Sequence, residues 1–176
     1  KAKGDKIIYF KQSFHGRSGY TLSLTNTSDP RKTMYFPKFP WFKVDNPKLA
    51  FPLTEEVLNE VSNIEKSVIS NINDILSNNV NDIAAIIIEP IQGEGGDNHF
   101  RDEFMVMLRD ICDEHDIIFI LDEVQTGIGI TGKMWSHEHF SVKPDIISFG
   151  KKTQVCGMLA SDRILEIDNN VFKESS

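Results

Sequence analysis

Apolar residues along this chain follow two kinds of pattern. Residues 7–10, 83–88, 117–121 and 145–149 are short runs rich in Ile and Phe with little polar alternation. Such runs suit strands buried on both faces, as in a parallel sheet covered by helices. From Thr54 the period changes, and Val57, Val61, Ile64, Val68, Ile72 and Ile75 recur at three- and four-residue steps. This predicts a long amphipathic helix with Thr54 as its cap and Leu53 and Leu58 at staple positions, ending among Asn78 and Asn79. Phe104, Leu108, Ile111 and Cys112 predict a second helix, with Asp102 and Glu103 in the first turn, where the helix dipole favours carboxylates.

Residues 14–25 read as a turn entering a short helix, and a helical-looking segment precedes the final Lys173-Glu174-Ser175-Ser176. Residues 29–52 carry Pro30, Pro37, Pro40, Pro47 and Pro52, which argue against long helices and central strands. They are expected to form an irregular surface excursion packed by Phe36, Phe39, Trp41 and Phe42. The order strand, helix, strand, helix, strand predicts a doubly wound α/β sheet. In open sheets of this kind ligands sit outside the carboxyl ends of the strands, which draws attention to Glu89, Asp122 and Lys151.

The length of 176 residues suits a single domain. A formal net charge of −7 argues against nucleic acid or an anionic membrane as the main partner. No apolar run approaches the ~18 residues needed to span a bilayer. Cys112 and Cys156 are the two thiols, so no disulfide framework is implied and a reducing, cytoplasmic compartment is expected. The abrupt entry into a strand after Lys6 suggests a piece of a longer protein.

The chemistry turns on residues 121–134, L-D-E-V-Q-T-G-I-G-I-T-G-K-M. Gly127 to Lys133 fits the G-x-x-x-x-G-K spacing of a phosphate-binding loop, and Asp122 could be the magnesium-holding acid of a nucleotide-binding module. Met134, however, stands where a Ser or Thr hydroxyl should ligate magnesium, and both motifs would crowd one strand. His137 and His139 are two residues apart with no obvious third metal ligand, and no Ser-His-Asp grouping has local support. Cys112 falls on the apolar helix face and reads as core. What remains is a lysine after glycine, an acid on a neighbouring strand, and Gln125 close behind it. A lysine of ordinary pKa, near ~10.4, is a poor nucleophile at neutral pH unless it is buried, charge-perturbed or captured as an imine. A pyridine-ring cofactor supplies the last option, and a carboxylate at the ring nitrogen would keep that nitrogen protonated.

The segments Phe14-His15-Gly16-Arg17, Glu89-Pro90-Ile91-Gln92-Gly93-Glu94-Gly95-Gly96, Leu121-Asp122-Glu123-Val124-Gln125-Thr126-Gly127 and Phe149-Gly150-Lys151 resemble, in order, the class III pyridoxal-phosphate-dependent aminotransferases of fold type I. The run Phe149 to Gly157, with residues 15–27 and 36–39, is similar to the subfamily that acts on the terminal amine of L-lysine. The resemblance implies a partial large, cofactor-binding domain over residues 1–176, with a mostly parallel sheet and helices on both faces. It implies that an amino-terminal segment and a carboxyl-terminal small domain lie outside the chain, and that the full-length protein is a homodimer. It makes Lys151 the imine-forming lysine and Asp122 the partner of the ring nitrogen of pyridoxal 5'-phosphate. Val124 and Phe14 would flank the ring and Gln125 would bond its hydroxyl and lie near substrate. Arg17 would hold the α-carboxylate of L-lysine, and Glu94 would mask a second arginine until 2-oxoglutarate binds. Glu89 would line the same crevice. Lys152 competes with Lys151 as the buried amine. Ornithine, acetylornithine or 4-aminobutyrate remain alternative amine donors.

Overall fold

The computed structural model describes residues 4–166. Its elements are β1 (Lys6–Phe10), α1 (Gly19–Leu22), β2 (Phe42–Val44), α2 (Glu55–Asn78), β3 (Ile83–Ile88), β4 (Ile91–Gln92), β5 (Asn98–His99), α3 (Asp102–Glu114), β6 (Ile118–Asp122), β7 (Ile146–Phe149), β8 (Gly157–Ala160) and α4 (Asp162–Leu165), with 3-10 turns at Pro30–Lys32 and Ser136–His139. Six strands form one sheet in the order β2-β1-β3-β6-β7-β8. All neighbours are parallel except β7 and β8, and β4 with β5 makes a separate antiparallel hairpin.

The parallel centre follows from the apolar runs. Ile8, Ile86 and Phe119 lie side by side across three strands, and Ile88 stands beside Leu121. With Phe10 they form the sheet face of the core, covered by Val68, Ile72 and Leu76 of α2 and by Phe104, Met105 and Leu108 of α3. Each such side chain removed from water contributes roughly 1.5–3 kcal/mol. Both long helices therefore lie on one face. β3 is buried through most of its length, as its unbroken run predicts, whereas in β6 Ile118 and Ile120 are only partly buried and alternate with Phe119 and Leu121.

Several expectations are corrected. The excursion over 29–52 contains an edge strand, β2, which pairs with β1 through Phe42↔Ile8 and Val44↔Phe10. Phe36 and Phe39 do not pack it from within, being 62% and 47% exposed. Phe39 instead stacks with Tyr20 and Trp41 on the surface, at ring-centre distances of 4.8 and 5.2 Å. The buried stripe of α2 runs through Val61, Glu65, Val68, Ile72 and Leu76, leaving Ile64 largely exposed. Glu65 is tolerated there because Arg101, at the start of α3, forks onto both carboxylate oxygens. No long helix joins β6 to β7: the chain crosses through a turn and the short 3-10 segment at Ser136–His139. Beyond α4, the end of the helical-looking segment lies outside the described residues. Among the described residues no helix is long and apolar enough to cross a membrane.

Candidate active site

Three strands deliver their last polar residues to one end of the sheet. Glu89 follows β3, Asp122 closes β6, and Lys151 comes just after β7. Here the structure forms a cavity of about 240 Å³ lined by Phe14, His15, Gly16, Glu89, Asp122, Val124, Gln125, Lys151 and Cys156. Six of the eight residues singled out in the sequence thus share one wall-to-wall space. Arg17 is exposed and lies one residue beyond the lining, and Glu94 sits outside it on the glycine-rich loop.

Asp122 is 8% exposed and held from both sides. Its Oδ1 accepts hydrogen bonds from the Ser148 hydroxyl at 2.9 Å and the Val124 N–H at 3.1 Å, and its Oδ2 lies 2.8 Å from His15 Nδ1. Burial works to raise its pKa, but the bond and acid-pH charge of His15, the Val124 amide and the Ser148 hydroxyl outweigh it. The carboxyl is held below its ordinary value. Asp122 is therefore an anion at neutral pH. A carboxylate has about four acceptor positions, so the Ser148 hydroxyl, the Val124 amide and the His15 ring between them occupy three and leave one direction on Oδ2. That suits a single N–H from a ligand better than the fork of a guanidinium. Glu89, 5% exposed, accepts the Phe14 N–H at 2.8 Å. Burial is the largest influence and pushes its carboxyl up to about 7, against the lowering effects of His15 and the Phe14 amide.

The lysine pair divides its contacts. Lys151 Nζ donates to Gln125 Oε1 at 2.6 Å, while the Lys152 amine reaches the Gln125 carbonyl. Neither is buried, contrary to the expectation that one of them would be, and only Lys151 faces the cavity. Burial and the neighbouring Lys151 charge hold the Lys152 ammonium below its ordinary value. The glycine-rich loop approaches the same Gln125 so closely that a Cβ on Gly93 would stand 2.3 Å from its Nε2. Glu94 pairs with Lys32 and accepts from the Thr27 hydroxyl at 3.2 Å, both from the chain after α1.

His15, Ser148 and Cys156 were not singled out in the sequence. Ser148 had a signal, as the one hydroxyl in the apolar strand I-I-S-F. His15 had only its place beside Phe14, because its partner lies 107 residues away. Its position is fixed locally: the His15 N–H donates to Thr25 Oγ1, which donates in turn to the Gly16 carbonyl. Gly16 has φ +131°, and a Cβ there would meet Thr21 Oγ1 at 2.3 Å, so the turn requires glycine.

The rival readings meet the structure differently. In the Gly127 to Lys133 loop, the amides of Gly127, Ile128, Gly129 and Gly132 all donate to carbonyls of Glu123, Met134 or Gly129. The N–H groups a phosphate would need are consumed within the turn. His137 bonds Glu123 and His139 bonds Thr131, and among the described residues no three metal-ligating side chains gather. Cys112 is fully buried, as expected, and its thiol is pushed well above the ordinary range by burial.

A parallel sheet presenting lysine, aspartate and flanking apolar side chains around a small cavity defines a class of fold and site that known proteins share. The family described as aminotransferase class-III matches residues 1–170, and the chain belongs to it. It is 46% identical over 171 residues to the L-lysine-epsilon aminotransferase of Amycolatopsis lactamdurans, covering 97% of this chain and 38% of that protein. It is 42% identical to the 4-aminobutyrate aminotransferase of Schizosaccharomyces pombe over 161 residues, 90% of this chain and 34% of that one. The solved lysine aminotransferase from M. tuberculosis in its internal aldimine form superposes with a TM-score of 0.92 at 46% identity, over 98% of this chain and 39% of that chain. The chain thus spans less than two-fifths of the length of these relatives.

Proposed function

We propose that the protein uses pyridoxal 5'-phosphate to move the terminal amino group of L-lysine to 2-oxoglutarate, giving 2-aminoadipate 6-semialdehyde and L-glutamate. The observation that carries this reading is the meeting of Lys151 and Asp122, from neighbouring strands, in one small cavity. The residues fit the cofactor: one acceptor direction on a fixed anion suits a ring N–H, and a primary amine faces the same space. When bound, the cofactor supplies an electron-withdrawing ring that stabilises charge on the carbon losing its proton.

The chain supplies the rest. Asp122, anionic and immobilised, would hold the ring nitrogen of the cofactor and keep it protonated. Phe14 and Val124, which line the cavity, would flank the ring and exclude water. Lys151, turning from Gln125 Oε1, would hold the cofactor and, as general base and then acid, would carry the proton from the terminal carbon of the substrate to the cofactor carbon. Gln125, freed by that departure, would bond the ring hydroxyl. Arg17, exposed and without an ion pair among the described residues, is available to hold the α-carboxylate through a bidentate contact. Glu94, now paired with Lys32, is the acid we assign to masking a second arginine before 2-oxoglutarate enters. The lysine-specific reading is supported by the relatives' substrate names and by the run Phe149 to Gly157. We further propose that the chain is the central part of a larger cofactor-binding domain and that the whole protein is a homodimer; two cysteines with no disulfide framework are what supports a cytoplasmic compartment.

The test uses the full-length protein with added pyridoxal phosphate. A visible absorption band is expected to form, to change on adding L-lysine faster than with ornithine or 4-aminobutyrate, and to be missing in Lys151→Ala. A normal band in Lys151→Ala, or indifference to all three amines, overturns the reading.

A further inference from the structure

We propose that His15 is a positioning residue for Asp122, fixing the direction and charge of that carboxylate before any cofactor arrives. The proposal rests on the cofactor reading above but concerns this chain's own contacts.

Four observations converge on it. The His15 ring lies 2.8 Å from Asp122 Oδ2 through Nδ1, and its side chain is 1% exposed. Its other nitrogen, Nε2, is buried with no hydrogen-bond partner among the described residues. A proton on Nε2 would be buried facing no acceptor of the described residues, whereas a proton on Nδ1 points at an anion, so burial selects the Nδ1–H tautomer. The backbone beneath the ring is tied down through Thr25 and the left-handed Gly16, which leaves the imidazole little freedom to turn away.

The consequence for Asp122 is geometric. Ser148 and Val124 grip Oδ1 alone, and two bonds to one oxygen leave the carboxylate free to rock about that point. His15 bonds the other oxygen and stops the rocking. It also occupies one of the two acceptor directions on Oδ2, so that a ligand N–H can approach along the remaining one. Without His15 the anion would be more mobile, more basic and open to water on the side where charge has to be concentrated.

The decisive measurement uses uniformly 15N-histidine-labelled full-length protein free of cofactor. Two-bond proton–nitrogen correlations at neutral pH are expected to show the His15 ring with its proton on Nδ1, and a proton on Nε2 overturns the proposal. The second measurement compares His15→Leu, which removes the donor, with His15→Asn, whose amide restores an N–H near the position of Nδ1. With pyridoxal phosphate bound, the pH midpoint of the visible absorbance change is expected to move by about one unit in His15→Leu. Cofactor affinity should fall roughly tenfold. Both effects should be largely reversed in His15→Asn. Equal behaviour of wild type and His15→Leu, or failure of Asn to rescue a shifted midpoint, sinks the positioning role. Failure of the protein to bind pyridoxal phosphate would overturn the functional reading, while the tautomer measured on cofactor-free protein would still decide the status of His15.

Discussion

Two buried aspartates stand at opposite ends of the same sheet and are balanced in different ways. Asp145, at the amino end of β7 and 5% exposed, gathers the Phe119 N–H at 2.8 Å, Arg109 at 2.9 Å and Arg163 at 3.2 Å onto one oxygen. Arg109 also lies over the Phe119 ring, 5.4 Å from its centre. Asp122, at the carboxyl end of β6, has a hydroxyl, an amide and an imidazole, and no lysine or arginine among its bonded partners. The first carboxylate is neutralised by permanent cations of the fold. The second keeps a net charge for something else to meet. The same residue type at equal burial is structural in one place and poised for a ligand in the other, and the difference lies in who pairs with it.

Substitutions can separate the two ends. The largest expected effect is on turnover: Asp122→Asn, which keeps shape and removes charge, should lower the rate of the full-length enzyme by about a thousandfold or more. Asp122→Asn should cost less stability than Asp145→Ala, a comparison made by denaturant unfolding of the cofactor-free proteins. Asp145→Ala leaves the Phe119 amide without its acceptor and takes one carboxylate from Arg109 and Arg163, which keep Asp113 and Asp116, and should cost about 2 kcal/mol of stability, with near-normal turnover in the fraction that stays folded. Loss of turnover in folded Asp145→Ala, or serious unfolding by Asp122→Asn, would erase the distinction.

A finer effect separates two acids within the cavity itself. Asp122 is held below its ordinary pKa, so its stabilising contribution is present above the unfolded value and lost as pH falls through the folded one. Glu89 is the opposite case. Its folded-state value of about 7 lies above the ordinary 4.5, so the folded protein binds the extra proton between these values and stability falls as pH rises through that window. The penalty amounts to roughly 3 kcal/mol or less once the window is crossed. Glu89→Gln should remove it, flattening the stability profile between pH 5 and about 7.5 while leaving the acid limb that belongs to Asp122. An unchanged slope between pH 5 and about 7.5 in Glu89→Gln would show that another group sets the profile in that window.

Much of this was visible in the residues because the signals are local. The runs at 83–88 and 117–121 announce strands by composition, and the acid or amine that ends each run marks the sheet's carboxyl edge. The strands β2 and β8, three and four residues long, carry too little pattern to stand out, and β2 sits among prolines. Glu65 looks like a solvent-facing residue until Arg101 is brought to it from 36 positions away. The site shows the same divide. Asp122 and Lys151 follow from strand ends, but the roles of His15 and Ser148 exist only once the sheet aligns β6 with β7 and folds the β1 exit across them.

Strand geometry sends Asp122 and Glu123 in different directions, and Glu123 takes the amides of Ser136 and His137 on its two oxygens. The crossing between β6 and β7 is thus buttoned to the residue next to the cavity-lining acid. Loops of altered length or sequence could be grafted between Gly127 and Trp135 without disturbing the crevice, provided this button is kept. Undoing it with Glu123→Gln would loosen the doorway from behind, through a side chain that is not part of the cavity lining.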